Sequence, residues 1–302
     1  MIAISHSDCD GVACVSLLYQ AKNTFRVPTF FTTPANLRNT LCRSMINKDL
    51  DELYIFDLSG NKQTCRIASA FSRVIWIDHH VWEEKEEYDN IEFIIGQSPS
   101  ACELASKYFG IKSELVDIVN EIDTNNVKSE DAIFFRDIEG AIKYKFSKNP
   151  SILNKKLIEL AKIIAFEGLD RIKSIDSFTK LLLDYREWLS KVEKEIIKRT
   201  IIKEINGYKL AFYETTYAIP TYLVFNKLKE HEMAPFDMIV VFYYKSSLNR
   251  VTTKLEFRTQ TNKDVLKIAK LLGGGGHKIA AGASLTTLFT PSQLEKLIEE
   301  KF

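Results

Sequence analysis

The chain has 302 residues, of which 45% are hydrophobic and 27% charged, as in ordinary globular proteins, and this length suggests two domains. Its 41 basic and 40 acidic side chains leave a formal charge of +1, so no protein-wide positive field exists to hold a long nucleic acid. No apolar run is long enough to span a membrane, and the short apolar start lacks the basic flank of a signal peptide. The five cysteines show no CxxC spacing, which argues against a zinc ribbon or a disulfide framework and favours buried small residues. We therefore expect a cytoplasmic protein that does not contact a membrane and binds any polyanion locally.

Short apolar runs alternate with helical patterns over the first 125 residues. The predicted strands are 1–5, 26–31, 53–58, 74–78 and 92–95. The predicted helices are 11–21, 35–45, 61–71 and 100–109. This alternation predicts an α/β fold with a doubly wound, mainly parallel sheet.

The second half of the chain begins with helices and then returns to a mixed pattern. Strand signals fade between residues 113 and 199, and the longest helical segment, 175–199, is expected to link two domains. Further strands are predicted at 201–213, 236–244 and 251–257, with helices at 220–229, 263–272 and 291–302. We predict a domain over 1–175, a linker helix over 176–200 and a smaller α/β domain over 201–302.

The segment HSDCDG, just after the first predicted strand, places His6, Asp8 and Asp10 at alternate positions. If the backbone stays extended there, the three side chains project to one side and could chelate a cation. A polar turn between strand and helix is the alternative interpretation, because Asp and Gly are favoured in such turns.

Two further predicted strands also end in acidic residues or histidines: Asp57 ends one of them, and Asp78, His79 and His80 end the next. Taken singly, Asp57 could be a helix N-cap and His80 a surface histidine. Because ligands collect at the carboxyl ends of strands in open α/β sheets, we expect one crevice there. Carboxylates gathered without a cation would repel each other, and oxygen-rich sites with one or two imidazoles suit Mn²⁺ or Mg²⁺. Two such ions are the usual apparatus for phosphoryl hydrolysis.

A glycine run, Gly273 to Gly276, precedes His277, and a second small-residue turn is predicted at Ala280 to Gly282. Glycines permit unusual backbone dihedrals and expose N–H groups that can surround a phosphate or carboxylate. A flexible linker is the alternative, although the run lies between apolar helical residues and a histidine.

Together these segments resemble the DHH phosphoesterase superfamily, in the branch with a DHH-associated C-terminal domain, over nearly the whole chain. HSDCDG, Asp57 in FDLS, the DHH triplet at 78–80 and Asp123 in EIDTNN match four motifs in order. Arg258 in RTQ and the segment GGGGHKIAAG match the C-terminal domain. The fourth motif continues as Asn-Asn-Val, without the Gly and Phe of many bacterial members, which leaves the substrate open.

The resemblance implies two metal ions, Mn²⁺ with Mg²⁺ or Co²⁺ as alternatives, and a bridging hydroxide that attacks phosphorus. One ion would be held by His6, Asp8 and Asp57. The other would be held by Asp10, Asp57, His79 and Asp123. His80 would contact the scissile phosphate, and Asp78 would orient an imidazole. A second phosphate would be bound by Arg258, Gly274, Gly275, Gly276 and His277, with Arg250 as a competing candidate for the arginine.

The leading functional prediction is a phosphodiesterase that trims very short oligonucleotides or cleaves small nucleotides, as nanoRNases and pAp phosphatases do. The near-zero charge favours short substrates, since a groove for many phosphates usually carries a basic stripe. A RecJ-like exonuclease on single-stranded DNA is the alternative enzyme. A non-catalytic replication scaffold is the third hypothesis, although such relatives usually lose metal ligands. The protein is expected to be a monomer or a homodimer.

Overall fold

Five parallel strands form the sheet of the N-terminal part: β1 (Ile2–His6), β2 (Thr29–Thr32), β3 (Glu52–Phe56), β4 (Arg73–Asp78) and β5 (Ile91–Ile95). Their order is β2-β1-β3-β4-β5. The computed structural model describes residues 1–46, 49–82, 84–247 and 250–301. It divides the chain into two compact units, Met1–Arg186 and Glu187–Phe302.

Nine helices of the described residues accompany or follow these strands: α1 (Cys9–Ala21), α2 (Leu37–Ser44), α3 (Lys62–Ala68), α4 (Ala101–Phe109), α5 (Leu115–Asp123), α6 (Glu130–Phe146), α7 (Pro150–Glu167), α8 (Leu169–Lys173) and α9 (Asp176–Arg199). Helices α2 and α3 pack on one face of the sheet, against a core that includes Leu53, Ile55 and Trp76. The other face presents Tyr54 and Phe56 to helix α4. The predicted parallel sheet with two covered faces is therefore confirmed.

The backbone does not stay extended from His6 to Asp10, the condition under which the three side chains would project to one side. The Asp8 side chain accepts a hydrogen bond from the Gly11 N–H at 3.1 Å and caps helix α1, which begins at Cys9. Gly11 is required at this turn, because a Cβ there would lie 2.1 Å from the His6 carbonyl oxygen. The helix therefore begins directly behind the end of β1, and Asp10 lies on its first turn.

The second unit contains a six-stranded mixed sheet, in the chain order β6 (Ile201–Ile205), β7 (Tyr208–Thr215), β8 (Met238–Ser247), β9 (Arg250–Arg258), β10 (Gly275–His277) and β11 (Ala280–Leu285). Three helices accompany it: α10 (Thr221–Lys229), α11 (Leu266–Leu271) and α12 (Pro291–Lys301). The spatial order is β10-β11-β9-β8-β7-β6. One face carries a core with Phe212 and Phe257, and the other a core with Tyr213 and Ile239.

Three sequence predictions need correction. The single strand predicted at 201–213 is the hairpin β6–β7, because Asn206 and Gly207 both have positive φ and form the two-residue turn that Asn-Gly favours. The predicted turn at Ala280 to Gly282 is the start of β11, which pairs with β9 and β10. Cys42 is exposed, whereas the other four cysteines are buried as expected.

Within the described part of the chain, no helix is long and apolar enough to cross a bilayer.

Candidate metal centre

The carboxyl ends of three neighbouring parallel strands bring the motif residues together. Strand β1 ends at His6, Asp57 directly follows β3, and β4 ends at Asp78, just before His79 and His80. Because β1, β3 and β4 are adjacent and parallel, these residues share one edge of the sheet. Asp10 and Asp123 come from helices α1 and α5, which contact each other.

Asp57 occupies an unusual backbone conformation at this edge. Its φ is +53°, in the left-handed region that Asp and Asn enter more readily than most residues. The Asp57 N–H donates to the Ile77 carbonyl oxygen at 2.9 Å, and the residue is only 2% exposed. The turn after β3 therefore directs a buried carboxylate across the ends of the neighbouring strands, and such strained positions concentrate at functional sites.

A first group of possible metal ligands consists of His6, Asp8 and Asp57, whose ligand atoms lie within 4.8 Å of one another. His6 Nδ1 is 2.6 Å from Asp8 Oδ2 and 3.2 Å from Asp57 Oδ2. Burial lowers the pKa of His6, but Asp8 and Asp57 outweigh that effect and raise the pKa well above its ordinary value. His6 conversely lowers the pKa of Asp8 despite burial.

A second group consists of Asp10, His79 and Asp123. His79 Nε2 lies 3.8 Å from Asp10 Oδ2, 3.3 Å from Asp123 Oδ2 and 3.5 Å from Asp57 Oδ1. His79 Nδ1 is 3.1 Å from the Ser98 carbonyl oxygen, which can only accept a hydrogen bond. This contact assigns the proton to Nδ1 and turns Nε2 toward the carboxylates, the arrangement usual for metal-binding histidines.

Asp10 is held in place by the start of helix α4. Its two carboxylate oxygens accept hydrogen bonds from the backbone N–H groups of Ala101 and Cys102, both at 2.7 Å. The N-terminus of a helix stabilises a negative charge. Helix α4 therefore fixes the orientation of this carboxylate at the centre.

The carboxylates of the centre are crowded enough to disturb their own ionisation. Burial and the neighbouring Asp57 and Asp123 raise the pKa of Asp10 well above its usual range. Partial burial and Asp57 likewise raise the pKa of Asp123 to about 7. Burial lowers the pKa of His79, but Asp57 and Asp123 outweigh it and raise the pKa to about 10. Bound cations would relieve this repulsion.

These residues fit divalent metal ions. Asp57 Oδ1 is a buried oxygen that has no hydrogen-bond partner among the described residues. The other carboxylate oxygen, Oδ2, faces His6 of the first group. Asp57 therefore contacts both groups, one with each oxygen. Carboxylates with a minority of imidazoles suit Mn²⁺ or Mg²⁺, whereas the buried cysteines nearby belong to neither group.

Asp78 and His80 form a pair beside these two groups. Asp78 is fully buried, and its Oδ1 lies 2.7 Å from His80 Nδ1. Asp78 Oδ2 accepts hydrogen bonds from Ser59 Oγ at 3.0 Å and from the Trp82 indole N–H at 2.5 Å. Ser59 lies two residues after Asp57, and Trp82 lies two residues after His80. No sequence pattern predicts that they donate hydrogen bonds to Asp78. His80 also forms a possible ligand group with Asp57 and His79.

The predicted phosphate-binding residues of the second unit lie at one end of its sheet. Arg258 on β9 and His277 on β10 both pair with Ala280 on the strand between them, so their side chains share one face about 10 Å apart. Gly274 and Gly276 are required for close packing of the strands. A Cβ on Gly274 would lie 2.0 Å from the Gly282 carbonyl oxygen, and a Cβ on Gly276 would lie 2.7 Å from the Ala280 carbonyl oxygen. Of the three predicted glycines, only Gly275 has open space. The Arg250 side chain lies outside the described residues.

Comparisons with known proteins agree with this architecture. Residues 223–301 match the DHHA1 domain family. No curated protein sequence matches the chain. Solved structures do match, and because the sequence identities are low, the likeness shows a shared fold alone.

Three of these structures cover nearly the whole chain. A pGpG-specific phosphodiesterase, PggH from Vibrio cholerae, is 13% identical over 99% of this chain and 97% of its own, with a TM-score of 0.59. The DHH domain of a protein assigned to a family of ribosomal proteins is 14% identical over 99% and 85%, with a TM-score of 0.62. The exonuclease RecJ bound to manganese is 13% identical over 99% and 90%, with a TM-score of 0.57. The resemblance to DHH phosphoesterases is thereby confirmed at the level of the fold.

Proposed function

We propose that this chain, which has the DHH phosphoesterase fold and a DHHA1 match in its second unit, is a metal-dependent hydrolase of phosphate esters. Its substrates would be short oligonucleotides or small nucleotides. The observation that carries the proposal is the position of Asp57, which faces one ligand group with each carboxylate oxygen. A carboxylate placed in this way could be shared by two cations, and two-metal sites are a common apparatus for phosphoryl hydrolysis.

The proposed ion sites use the two groups already described. His6, Asp8 and Asp57 would hold one ion, and Asp10, Asp57, His79 and Asp123 the other. Bound ions would supply an activated water and neutralise charge on the phosphate. Mn²⁺ is the first choice because a structure of the same fold, RecJ, is bound to manganese, with Mg²⁺ or Co²⁺ as alternatives.

His80 is the residue proposed to contact the scissile phosphate. Its side chain is 31% exposed, whereas that of His79 is 4% exposed. Burial lowers the pKa of His80, but Asp78 outweighs that effect and raises it. The imidazolium form, toward which this shift acts, can donate a hydrogen bond to a phosphate oxygen.

A short substrate is favoured by the distribution of cations. The formal charge of +1 provides no general attraction for a long backbone. Arg258 and His277 would bind a second phosphate on the sheet of the second unit, since a guanidinium matches phosphate geometry. A substrate with two or three phosphates does not require a longer basic groove. PggH, which acts on a dinucleotide, is similar in fold over nearly the whole chain.

Product analysis tests the proposal. The purified protein would be incubated with Mn²⁺ and a panel of pAp, cyclic di-AMP, 5′-phosphorylated RNAs from two to about twenty-four nucleotides, and long single-stranded DNA. Rates that fall steeply with length would support the short-substrate proposal. Processive digestion of long DNA would replace it with the RecJ-like alternative. Metal binding without hydrolysis of any substrate would favour the scaffold hypothesis.

Arg258→Ala tests whether Arg258 binds the second phosphate without taking part in hydrolysis. The variant should lose about tenfold or more in kcat/KM on pAp, because a charge-assisted contact with the second phosphate is removed. An activated phosphodiester without a second phosphate, such as bis(p-nitrophenyl) phosphate, should react nearly as with the unaltered protein. Equal losses on both substrates would argue against a grip on the second phosphate.

A further inference from the structure

Asp78 is a buried carboxylate whose two oxygens have different partners. Oδ1 lies 2.7 Å from His80 Nδ1. Oδ2 accepts hydrogen bonds from the Trp82 indole N–H at 2.5 Å and from Ser59 Oγ at 3.0 Å. The residue is completely buried, so no water competes with these donors.

The Trp82 indole is itself held by close packing. Its ring lies edge-on to Trp76, with centroids 5.0 Å apart, and 5.7 Å from Phe93. Gly60 leaves the space for both indoles, because a Cβ there would be 2.7 Å from Trp76 and 2.9 Å from Trp82. The direction of the Trp82 N–H is therefore set by the aromatic cluster.

Two donors on one oxygen decide how the carboxylate is turned. A carboxylate bonded only to His80 could rotate about its terminal bond and exchange its oxygens, because that torsion has broad minima. Donors from Trp82 and Ser59 fix Oδ2 and leave Oδ1 for the imidazole. Hydrogen bonds to a buried carboxylate are also stronger than those between neutral groups.

We infer that Trp82, assisted by Ser59, is a positioning residue that acts through Asp78 on His80. By fixing Asp78, it keeps the proton on His80 Nδ1 and sets the direction of the other ring nitrogen toward the substrate phosphate. This inference rests on the proposed function, in which His80 contacts that phosphate. Neither Trp82 nor Ser59 belongs to any of the three possible ligand groups.

A role in packing alone is the competing explanation for Trp82, and the chain offers variants that separate the two. Trp82→Phe keeps an aromatic ring against Trp76 and Gly60 but removes the N–H donor. Ser59→Ala removes the second donor with little loss of packing. Phe93→Leu disturbs the same aromatic cluster without touching Asp78, and is the matched control.

Steady-state kinetics in Mn²⁺ on the best substrate of the panel give the first readout. Trp82→Phe should lower kcat about tenfold with KM within about twofold, because a supporting hydrogen bond orients the group but does not bind the substrate. The double variant Trp82→Phe with Ser59→Ala should lose more than either single variant. Mn²⁺ affinity, measured by calorimetry, should stay unchanged in Trp82→Phe, in Ser59→Ala and in the double variant.

The second readout needs no substrate and no metal. The His80 Nδ1–H, assigned by its loss in His80→Gln, is observed by proton–nitrogen NMR together with its exchange with water. Exchange should accelerate at least about tenfold in Trp82→Phe, because the Asp78 acceptor is no longer fixed, and should stay as in the unaltered protein in Phe93→Leu.

The outcomes are separable. Unchanged kcat and unchanged exchange in Trp82→Phe, or equal changes in Phe93→Leu, would overturn the positioning role. If the unaltered protein hydrolyses nothing in the panel, the proposed function fails, and with it the link to the phosphate. The exchange measurement then still decides whether Trp82 and Ser59 control the His80–Asp78 pair.

Discussion

At Asp57, backbone conformation, burial and charge all serve one side chain. The left-handed backbone at +53° places the carboxylate between the two ligand groups, and 2% exposure keeps water from screening it. Such a conformation is kept only where the surroundings enforce it. The Asp57 N–H bond to Ile77 and the Trp76 indole bond to the Leu58 carbonyl oxygen, at 2.8 Å, supply that enforcement.

Asp57→Asn tests the charge without disturbing the turn, because Asn also accepts left-handed backbone. We expect Mn²⁺ affinity to fall at least about 100-fold and hydrolysis to become undetectable on every substrate, since both ligand groups lose a carboxylate oxygen. Calorimetry and the product panel measure these effects. Asp57→Ala is the comparison variant and should in addition lower the melting temperature, because Ala disfavours positive φ. Retained hydrolysis in Asp57→Asn would contradict the two-ion mechanism.

The ionisation of Asp10 and Asp123 predicts how pH changes metal binding. Ions bind ionised carboxylates, so protons compete wherever the metal-free pKa is near the working pH. Because the pKa of Asp123 is raised to about 7 and that of Asp10 is also raised, affinity should fall as the pH drops. Each displaced proton contributes about tenfold per pH unit below the pKa.

Calorimetric Mn²⁺ titrations at about pH 6, 7 and 8, in buffers of different ionisation enthalpy, measure both the affinity and the protons released. Asp123→Asn is the matched variant: it should bind more weakly, with a shallower pH dependence. Affinity that is independent of pH in the unaltered protein would contradict the proposed competition.

At the scale of elements, the glycine run divides into positions with different physical roles. Gly274 donates its N–H to the Ala269 carbonyl oxygen at 2.8 Å and lies where β10 meets β11 without room for a Cβ. Gly275 has open space beside it. Of Gly274, Gly275 and Gly276, only Gly275 can therefore be changed without altering the sheet.

Gly274→Ala should destabilise the second unit by about 1–3 kcal/mol or more, because the added Cβ forces neighbouring strands apart. Gly275→Ala should leave thermal stability unchanged, and any loss of activity on pAp would then report a ligand contact at this position. Thermal unfolding followed by circular dichroism, alongside kinetics on pAp, compares the two. Equal stability of both variants would show that the strands can separate at little cost.

At the scale of the whole molecule, charge is balanced in total but not along the chain. Residues 245–278 contain eight Lys or Arg and two acidic side chains, whereas the formal charge of the whole chain is +1. This segment covers β9 and β10 and includes Arg258. Local cations of this kind suit a few phosphates, and long-range attraction of a polymer is not expected.

The salt dependence of kcat/KM tests this distribution. For pAp or a dinucleotide, the slope against log salt should be shallow, about −1 to −2, because few phosphates are neutralised. The slope should not steepen between RNAs of about five and twenty nucleotides, since the proposed substrate site binds only two or three phosphates. Potassium glutamate in place of chloride controls for anion competition. A slope that grows with length would indicate a basic groove and favour the RecJ-like alternative.

The sequence alone determined the features that depend on local periodicity and on residue type. Alternation of apolar runs and helical patterns predicted the five strands and the parallel sheet, because buried parallel strands are apolar on consecutive positions. The acidic and histidine residues at strand ends indicated a crevice for cations, because parallel strands share their carboxyl edge. The Asn206-Gly207 turn was also readable, although a single strand was predicted there.

Tertiary structure alone decided which groups hold the side chains of the centre. The α4 N–H groups that hold Asp10 and the Ser59 bond to Asp78 join residues distant in the chain. The Trp82 bond to Asp78 spans only four residues, but the aromatic cluster sets its direction. Strand β11 was missed because Ala and Gly have little strand propensity. The strand forms because it pairs with β9, where Ala280 lies opposite Arg258. Local sequence restricts each residue's own backbone, whereas the partners of its side chain are set by the fold.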